Sequence, residues 1–181
     1  TPPMSYITGG ELLVGASAAN DATGGWGLWQ CELIQKSCKT LSTQVNALAP
    51  LALQAHKMNG DLFIADAQTG QLMKLSASGE VQHSIERPLA DLPVLRLDSG
   101  LLFINSAQGP AISVLRYENQ AFGQQLDEVL LLPPAALERE QTRVWDFATS
   151  GSYWWVTLYN PGNGDSGLYL FDRDWKFIRE L

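Results

Sequence analysis

The sequence repeats one short phrase four times, and this repetition constrains the fold more than any other feature. The phrase is a glycine followed by an apolar run. Its copies begin at Gly10, Gly60, Gly100 and Gly151, as GELLVGAS, GDLFIAD, GLLFINS and GSYWWVTLY. The copies start about 40 to 50 residues apart, a period typical of folds that stack one supersecondary unit on the next.

Each copy is part of a unit of four predicted strands. An alternating run precedes each glycine, as in LALQAHKM and LPVLRLD, and two further strands follow the apolar run, as in GQLMKLS and EVQHSIE. Short runs rich in β-branched and aromatic residues and bounded by Gly, Asn or Asp predict strands. Because the fourth strand of each unit is the more polar, we expect each unit to run from an inner first strand to an outer fourth strand.

Four-stranded antiparallel units at this period predict a β-propeller, in which each unit is one blade. We therefore expect an all-β chain with four recognisable blades that form a single domain over residues 1–181. The expected blades span about 4–45, 50–87, 92–130 and 142–181, and PPAALEREQ predicts a short helical insertion at about 133–141. The alternative is a β-sandwich, a fold that does not usually repeat its sequence in register.

The second repeat resembles the repeat of the NHL family and of its wider six-bladed, TolB-like relatives. The resemblance rests on Gly60, the strand LFIAD that ends at Asp66, the turn AQTGQ, the strand LMKL and the turn SASGE. By this alignment Asn105–Ser106 of the third repeat and Thr157–Leu158 of the fourth take the place of Ala-Asp. The resemblance implies a propeller of six blades, whereas the chain supplies four.

Three arrangements reconcile four repeats with such a ring. The chain is a fragment of a larger propeller, a closed ring of four blades, or one half of an eight-bladed ring made by two copies. An open stack of blades would expose apolar faces at both ends. The sequence favours a fragment or a half that self-associates, so a homodimer is one expected assembly.

Charge and hydropathy exclude two classes of partner. The net charge is -7, and the 12 Lys and Arg residues do not cluster, so the chain lacks the basic stripe of a nucleic-acid-binding protein. No apolar run is long enough to span a membrane. We therefore expect neither a nucleic-acid partner nor a membrane-spanning segment.

The two cysteines, Cys31 and Cys38, lie on either side of a predicted hairpin that turns at Ile34 and Gln35. Cross-strand neighbours in an antiparallel pair are close enough for a disulfide. The alternative is a pair of reduced thiols. A disulfide predicts a periplasmic or secreted protein, because such bonds persist in oxidising compartments.

The loops that follow the second and fourth strands are longer than the other connections, notably 18–26, 128–142 and 160–167. Long loops on a rigid scaffold often carry function, so we expect that rim to bind a ligand. The candidate binding residues are Asn20, Asp21, Trp26, Asn160, Asn163 and Asp165. The Asn and Asp side chains suit calcium, although they suit ordinary turns equally. No metal ligand set is identified, and no cofactor is predicted.

Three polar residues, His56, Arg96 and Asp146, fall at roughly corresponding positions of the predicted innermost strands. We expect them to line a central channel. They do not form a convergent nucleophile, base and orienting group, so they favour binding over catalysis.

One short motif points to a different chemistry. GDSG at 164–167 resembles the nucleophile motif of chymotrypsin-like serine proteases, and His56 and Asp98 precede it in the matching order. Leu168 follows the motif in place of Gly, and Lys57 follows His56 in place of Cys. These departures argue against a protease site.

The sequence therefore predicts a non-catalytic recognition or scaffold module that binds a protein, a peptide or a glycan through the rim with the long loops. The alternative is a metal-dependent lactonase or esterase of the six-bladed type, with its remaining site residues on further blades. Whether the chain is an enzyme stays open at this point, with the balance against.

Overall fold

The structure, a computed structural model, describes residues 4–7, 11–17, 26–42, 51–131 and 141–181. Its side chains are described for residues 28–41, 52–131 and 141–181. The helical insertion predicted at 133–141 lies outside the described residues, apart from Gln141.

The described strands form four blades of four strands each. Blade 1 contains β1 to β4, which span Met4–Ile7, Glu11–Ser17, Trp26–Glu32 and Ser37–Ser42. Blade 2 contains β5 to β8, which span Leu51–Ala55, Leu62–Asp66, Gln71–Leu75 and Val81–Glu86. Blade 3 contains β9 to β12, which span Leu95–Asp98, Leu101–Asn105, Ala111–Leu115 and Gln125–Leu130. Blade 4 contains β13 to β16, which span Arg143–Ser150, Tyr153–Tyr159, Ser166–Asp172 and Phe177–Glu180.

Every blade is an antiparallel meander whose strands lie in sequence order. The first strands pack side by side, β1 beside β5, β5 beside β9 and β9 beside β13, so they are the innermost strands. The fourth strands of blades 2 to 4 are mostly exposed. Apart from a short 3-10 helix at Asn119–Ala121, the regular structure of the described residues is all strand. The predicted all-β class with four four-stranded antiparallel sheets is confirmed.

The core lies between the blades rather than inside any one of them. All five residues of β6 are buried. One of its faces, with Leu62 and Ile64, shares a cluster with Leu28 of blade 1. The other face, with Phe63 and Ala65, shares a cluster with residues of β9, β10 and β11. A blade therefore depends on a neighbour at each face for its apolar burial, which explains the continuous apolar runs in the sequence.

The predicted disulfide is confirmed. Cys31 on β3 is the register partner of Cys38 on β4, their Cα atoms are 4.0 Å apart, and the two sulfur atoms are bonded. The connection between these strands is a four-residue turn over 33–36, centred where the sequence predicts it.

The end of the second strand carries a buried Asp or Asn in blades 2, 3 and 4. Asp66 ends β6, Asn105 ends β10, and Asn160 directly follows β14; all three are at most 2% exposed. The sequence alignment placed Asn105–Ser106 and Thr157–Leu158 at this position, which is off by one residue in blade 3 and by two in blade 4. The structural repeat is thus more regular than the sequence indicates.

Blades 2 and 3 are also joined by a buried polar network around Lys74. Its Nζ donates to the carbonyl oxygen of Tyr117 at 3.2 Å and to Oδ1 of Asn119 at 2.6 Å. It also lies 3.2 Å from Oδ2 of Asp61. Each partner belongs to a turn, so this one lysine fixes two turns relative to each other.

The stack of described blades is open. The innermost strands are in contact from β1 to β13, but no comparable contact joins β13 back to β1 in the part of the chain that the structure describes. The described residues also contain no helix with the length and hydropathy needed to span a bilayer.

Candidate functional site

The antiparallel order of the strands gives the molecule two rims of different character. Connections after first and third strands lie at one edge, which we call the turn rim, and connections after second and fourth strands lie at the opposite edge, the loop rim. The described connections of the turn rim are 33–36, 56–61, 76–80, 99–100, 116–124, 151–152 and 173–176. Those of the loop rim include 67–70, 87–94, 106–110 and 160–165.

Two of the three predicted channel residues contact each other on adjacent innermost strands. Nη2 of Arg96 on β9 lies 2.8 Å from Oδ1 of Asp146 on β13. Arg96 also donates through Nη1 to the carbonyl oxygen of Leu95 at 2.8 Å, and Oδ1 of Asp146 accepts from the backbone N–H of Phe147 at 2.7 Å. The two side chains neutralise each other's charge, and their main structural effect is to link blades 3 and 4.

The third predicted channel residue, His56, lies one residue beyond the innermost strand β5, in a turn of the turn rim. Its Nδ1 accepts from the backbone N–H groups of Met58 and Asn59, both at 3.4 Å. Its ring centroid is 5.5 Å from that of Tyr117. These contacts show His56 ordering its own turn, and it makes no hydrogen bond to Arg96 or Asp146.

The predicted binding residues of the loop 160–165 hydrogen-bond within that loop. Oδ1 of Asn160 accepts from the backbone N–H of Gly162 at 2.8 Å. Asn163 donates through Nδ2 to Oδ2 of Asp165 at 2.7 Å and accepts from the Asp165 N–H at 2.9 Å. The geometry of the turn thus accounts for these residue types, and ligand binding by them stays a prediction.

The same turn occurs on the opposite rim, which provides an internal comparison. Asn59 donates to Oδ2 of Asp61 at 3.0 Å and accepts from the Asp61 N–H at 3.0 Å. Both turns contain the letters Asn-Gly-Asp, and Gly60 and Gly164 both have positive φ. The other predicted rim residues, Asn20 and Asp21, lie outside the described residues, and so does the side chain of Trp26, whose backbone begins β3.

The protease-like triad is not assembled. Ser166 begins β15 beside the loop rim, whereas His56 lies at the turn rim. Asp98 is paired with Arg173, which also donates to Thr149. Ser166 therefore lies apart from His56 and Asp98, which line one cavity at the turn rim, and Asp98 is engaged by Arg173.

The sequence leaves the presence of a metal site undetermined. Within the described residues, no group of three or more His, Cys, Asp or Glu side chains is arranged to hold a metal ion. Calcium binding by the longer loops stays a prediction, because two of its candidate ligands, Asn20 and Asp21, are not described.

Sequence analysis missed the main feature of the loop rim, a cavity of about 660 Å³ between blades 2 and 3. Arg87 and Pro88 line it from blade 2. Its remaining walls come from the loop 106–110 and from β11 and β12, with the lining residues Ser106, Ala107, Gln108, Ala111, Ser113, Gln125, Glu128 and Leu130. The cavity therefore combines one cation with two amides, two hydroxyls and one carboxylate.

The guanidinium of Arg87 has few protein partners. Its Nη2 donates to Oγ of Ser113 at 3.1 Å, and its buried Nε has no hydrogen-bond partner among the residues that the structure describes. Burial lowers the pKa of Arg87, and the nearby carboxylate of Glu128 partly opposes that shift. A buried donor without a partner is costly and rare. In the sequence Arg87 follows an exposed outer strand, so nothing distinguishes it from a surface charge.

The backbone of Arg87 is well anchored, because its N–H donates to the carbonyl oxygen of Gly70 at 2.9 Å. Ser113, the acceptor from Arg87, is only 2% exposed and is the register partner of Glu128. The cation is thus held at the junction of two blades by a backbone hydrogen bond and by a buried serine of a paired strand.

Comparison with solved structures bears on the fold. A streptogramin B lyase structure aligns with a TM-score of 0.65 and 16% identity, covering 99% of this chain and 53% of that chain. A periplasmic gluconolactonase from Pseudomonas aeruginosa aligns with a TM-score of 0.59 and 13% identity, covering 99% and 56%. A chain of a nidogen/laminin complex aligns with a TM-score of 0.57 and 11% identity, covering 99% and 79%. These similarities support a propeller architecture.

The chain has the β-propeller fold. Because the identities are low, the similarity shows the fold and not an activity. The chain spans about half the length of the lyase and the gluconolactonase, so the described blades form a partial propeller. The fold is compatible with the NHL-like and TolB-like resemblance. No family model matches the sequence, and neither does any curated protein.

Proposed function

We propose that this propeller is a non-catalytic recognition module that binds a protein, a peptide or a glycan at the loop rim. The observation that carries the proposal is the cavity at that rim, with Arg87 on its wall. The turn rim has smaller cavities, of about 450 Å³ beside Asn119 and about 210 Å³ beside His56, and its turns at 56–61 and 76–80 bond their polar groups to one another.

The chemistry of the cavity indicates a carboxylate on the ligand. A guanidinium pairs with carboxylates through charge-assisted hydrogen bonds, and that of Arg87 makes a single hydrogen bond to the described residues. An acidic peptide side chain and a uronic acid unit of a glycan share this group. Gln108 and Gln125 offer amide groups for the neighbouring polar atoms of either ligand.

The solved propellers that resemble this chain are compatible with the proposal, but they do not distinguish recognition from catalysis. Similar structures include proteins named as a lyase and a gluconolactonase, and also a chain of a nidogen/laminin complex. The same architecture therefore occurs both in enzymes and in a protein that forms a complex with another protein.

A second candidate function is a metal-dependent lactonase or esterase. Two of the similar structures are described as lactonases, and Asp146 places a carboxylate on an innermost strand. Gluconolactone hydrolysis measured with added calcium or manganese tests this candidate. Hydrolysis that depends on the metal and is lost in Asp146→Asn would favour the enzyme, and a rate equal to that of buffer would remove it.

We propose that the protein works outside the cytoplasm, in the periplasm or as a secreted protein. The disulfide between Cys31 and Cys38 supports this location. The similar gluconolactonase is described as periplasmic, which agrees with it.

Peptide and glycan arrays that include acidic members, probed with the fluorescently labelled protein, test the recognition function. For a bound array member, Arg87→Gln should weaken binding about tenfold or more, because it removes a charge-assisted contact. Arg116→Gln is the matched control, since Arg116 is an exposed arginine at the turn rim. Equal loss in both variants, or no binding to any array member, contradicts the proposal.

Two bulky substitutions, one on each rim, test which rim binds the ligand without changing the charge of the protein. Gln108→Trp places a large side chain at the mouth of the cavity, and Met58→Trp places one on the turn rim, where Met58 is 87% exposed. Only the first substitution should block the ligand. Blocking by Met58→Trp alone would move the binding surface to the other rim.

A further inference from the structure

Blade 4 has one apolar face that no described blade covers. We call it the open face and define it by Trp145, Tyr153, Trp155, Tyr159 and Leu168. Alternate residues of β14 lie on it, and Leu168 is the register partner of Thr157 on that same face. Trp145 is 49%, Tyr153 44% and Leu168 38% exposed, while the rings of Trp145 and Tyr159 pack edge to face with centroids 5.2 Å apart.

The opposite face of β14 is an ordinary blade-to-blade interface. Trp154, Val156 and Leu158 are each at most 1% exposed and share a cluster with Phe103 and Ile112 of blade 3. The burial of β14 therefore alternates along the strand. The equivalent strands β6 and β10 are buried on both faces over almost their whole length.

The sequence of β14 is that of a strand covered on both sides. YWWVTLY is as continuously apolar as LFIAD or LLFIN, and continuous apolar runs are typical of strands buried on both faces. Contiguous exposed apolar surface of this kind marks an interaction site. What covers β6 on each side is another four-stranded blade, so a blade is the occupant that fits the open face.

We propose that the open face of blade 4 packs against blade 1 of a second copy of this chain, and that the reciprocal contact closes an eight-bladed ring. The chain matches about half of two solved propellers, and a second copy adds four blades to the four that the structure describes. A twofold rotation about the propeller axis makes the contact twice and leaves neither blade 4 uncovered. Rings of four to eight blades occur.

This assembly does not depend on any ligand, so it is testable apart from the recognition function. The protein is studied by size-exclusion chromatography with light scattering and by native mass spectrometry, from about 1 to 100 µM, since dimerisation depends on concentration. We expect a species of twice the 19.8 kDa chain mass. A monomer throughout this range, or an assembly other than a dimer, overturns the proposal.

Charged substitutions locate the interface. The double variant Tyr153→Lys with Leu168→Lys should be monomeric, because both side chains are on the open face. The control double variant Met58→Lys with Leu126→Lys changes two residues of blades 2 and 3 that are 87% and 46% exposed and should remain dimeric. Near-ultraviolet circular dichroism verifies that both variants are folded. A dimer unaffected by the open-face substitutions overturns the proposal.

Hydrogen exchange identifies the surface that the open face meets. In the dimer, compared with the monomeric variant, we expect slower exchange both in β14 and in the strands of blade 1. Protection confined to blade 4 would indicate that two copies of the open face meet each other, which contradicts the head-to-tail ring.

Discussion

Nζ of Lys74 lies 3.2 Å from Oδ2 of Asp61, with only 6% of the lysine side chain exposed. Removing one partner of a buried ion pair leaves the other charge uncompensated. Lys74→Met should therefore lower the free energy of unfolding by about 3 kcal/mol, measured by urea denaturation. Asp146→Asn is the comparison, because the Arg96–Asp146 pair is 32% and 53% exposed and should contribute less than about 1 kcal/mol. Equal effects would contradict a special role for Lys74.

The turn at Gly123 approaches blade 2 so closely that a side chain there would require Ile85 to move. A Cβ on Gly123 would lie 2.0 Å from Cδ1 of Ile85, and the residue has a φ of +77°. Gly100 has a similar φ of +79° but nothing within 4 Å of such a Cβ. Gly100→Ala should cost about 1 kcal/mol from backbone strain alone, and Gly123→Ala should cost clearly more because of overpacking. Thermal unfolding of both variants measures the difference, and similar melting temperatures would show that Ile85 moves aside.

The disulfide closes a short loop, since Cys31 and Cys38 are seven residues apart in sequence. Replacing both with Ser should lower the free energy of unfolding by about 2 to 3 kcal/mol, because the unfolded chain regains conformational freedom. The measurement is urea denaturation of the variant and of the wild type. Dithiothreitol should reduce the stability of the wild type and leave the variant unchanged, and a variant as stable as the wild type would contradict this account.

We expect the free energy of unfolding to depend on pH in the alkaline range because of Tyr169. Burial raises the pKa of its phenol, and the charge of Glu180 and a hydrogen bond to it raise that pKa further. The folded protein thus keeps this proton to higher pH than the unfolded chain, whose tyrosine pKa is about 10. The stabilisation is complete below pH about 10 and is lost as the pH rises through the folded-state pKa.

Denaturation at about pH 9 to 11.5 tests this linkage. The free energy of unfolding should fall over that range in the wild type and fall less in Tyr169→Phe. Glu180→Gln should lie between the two, because burial is the larger cause of the shift and persists in that variant. Parallel curves for all three proteins would exclude Tyr169 as the titrating group.

The sequence predicts the architecture well because the repeat is a direct consequence of how blades pack. Each second strand is covered on both faces, so its sequence is continuously apolar, as LFIAD is at β6. The cross-strand cysteines are predictable for a similar reason, because a hairpin register follows from strand length and turn position. The sequence alignment misplaces the buried Asn105 and Asn160. It compares residue types, whereas the structurally equivalent position is defined by where the second strand of the blade ends.

The candidate site was much less predictable. The cavity wall is made by residues from β11, β12 and the connections 87–94 and 106–110, and no spacing in the sequence shows that Arg87 reaches Ser113 of the next blade. His56 was expected on an innermost strand, but the strand ends at Ala55. Local patterns thus predict strands and turns, whereas contacts between blades depend on the twist and stagger of whole sheets.

Each described blade is built from four consecutive strands, and none of these sheets borrows a strand from elsewhere in the chain. A blade is consequently encoded by one uninterrupted stretch of gene. Duplicating or deleting a repeat of about 40 codons would add or remove a whole blade while the hydrogen bonds of the others stay intact. A propeller built in this way can gain or lose one blade by a single recombination event. Genes that encode such propellers therefore have a simple route between half rings and complete rings.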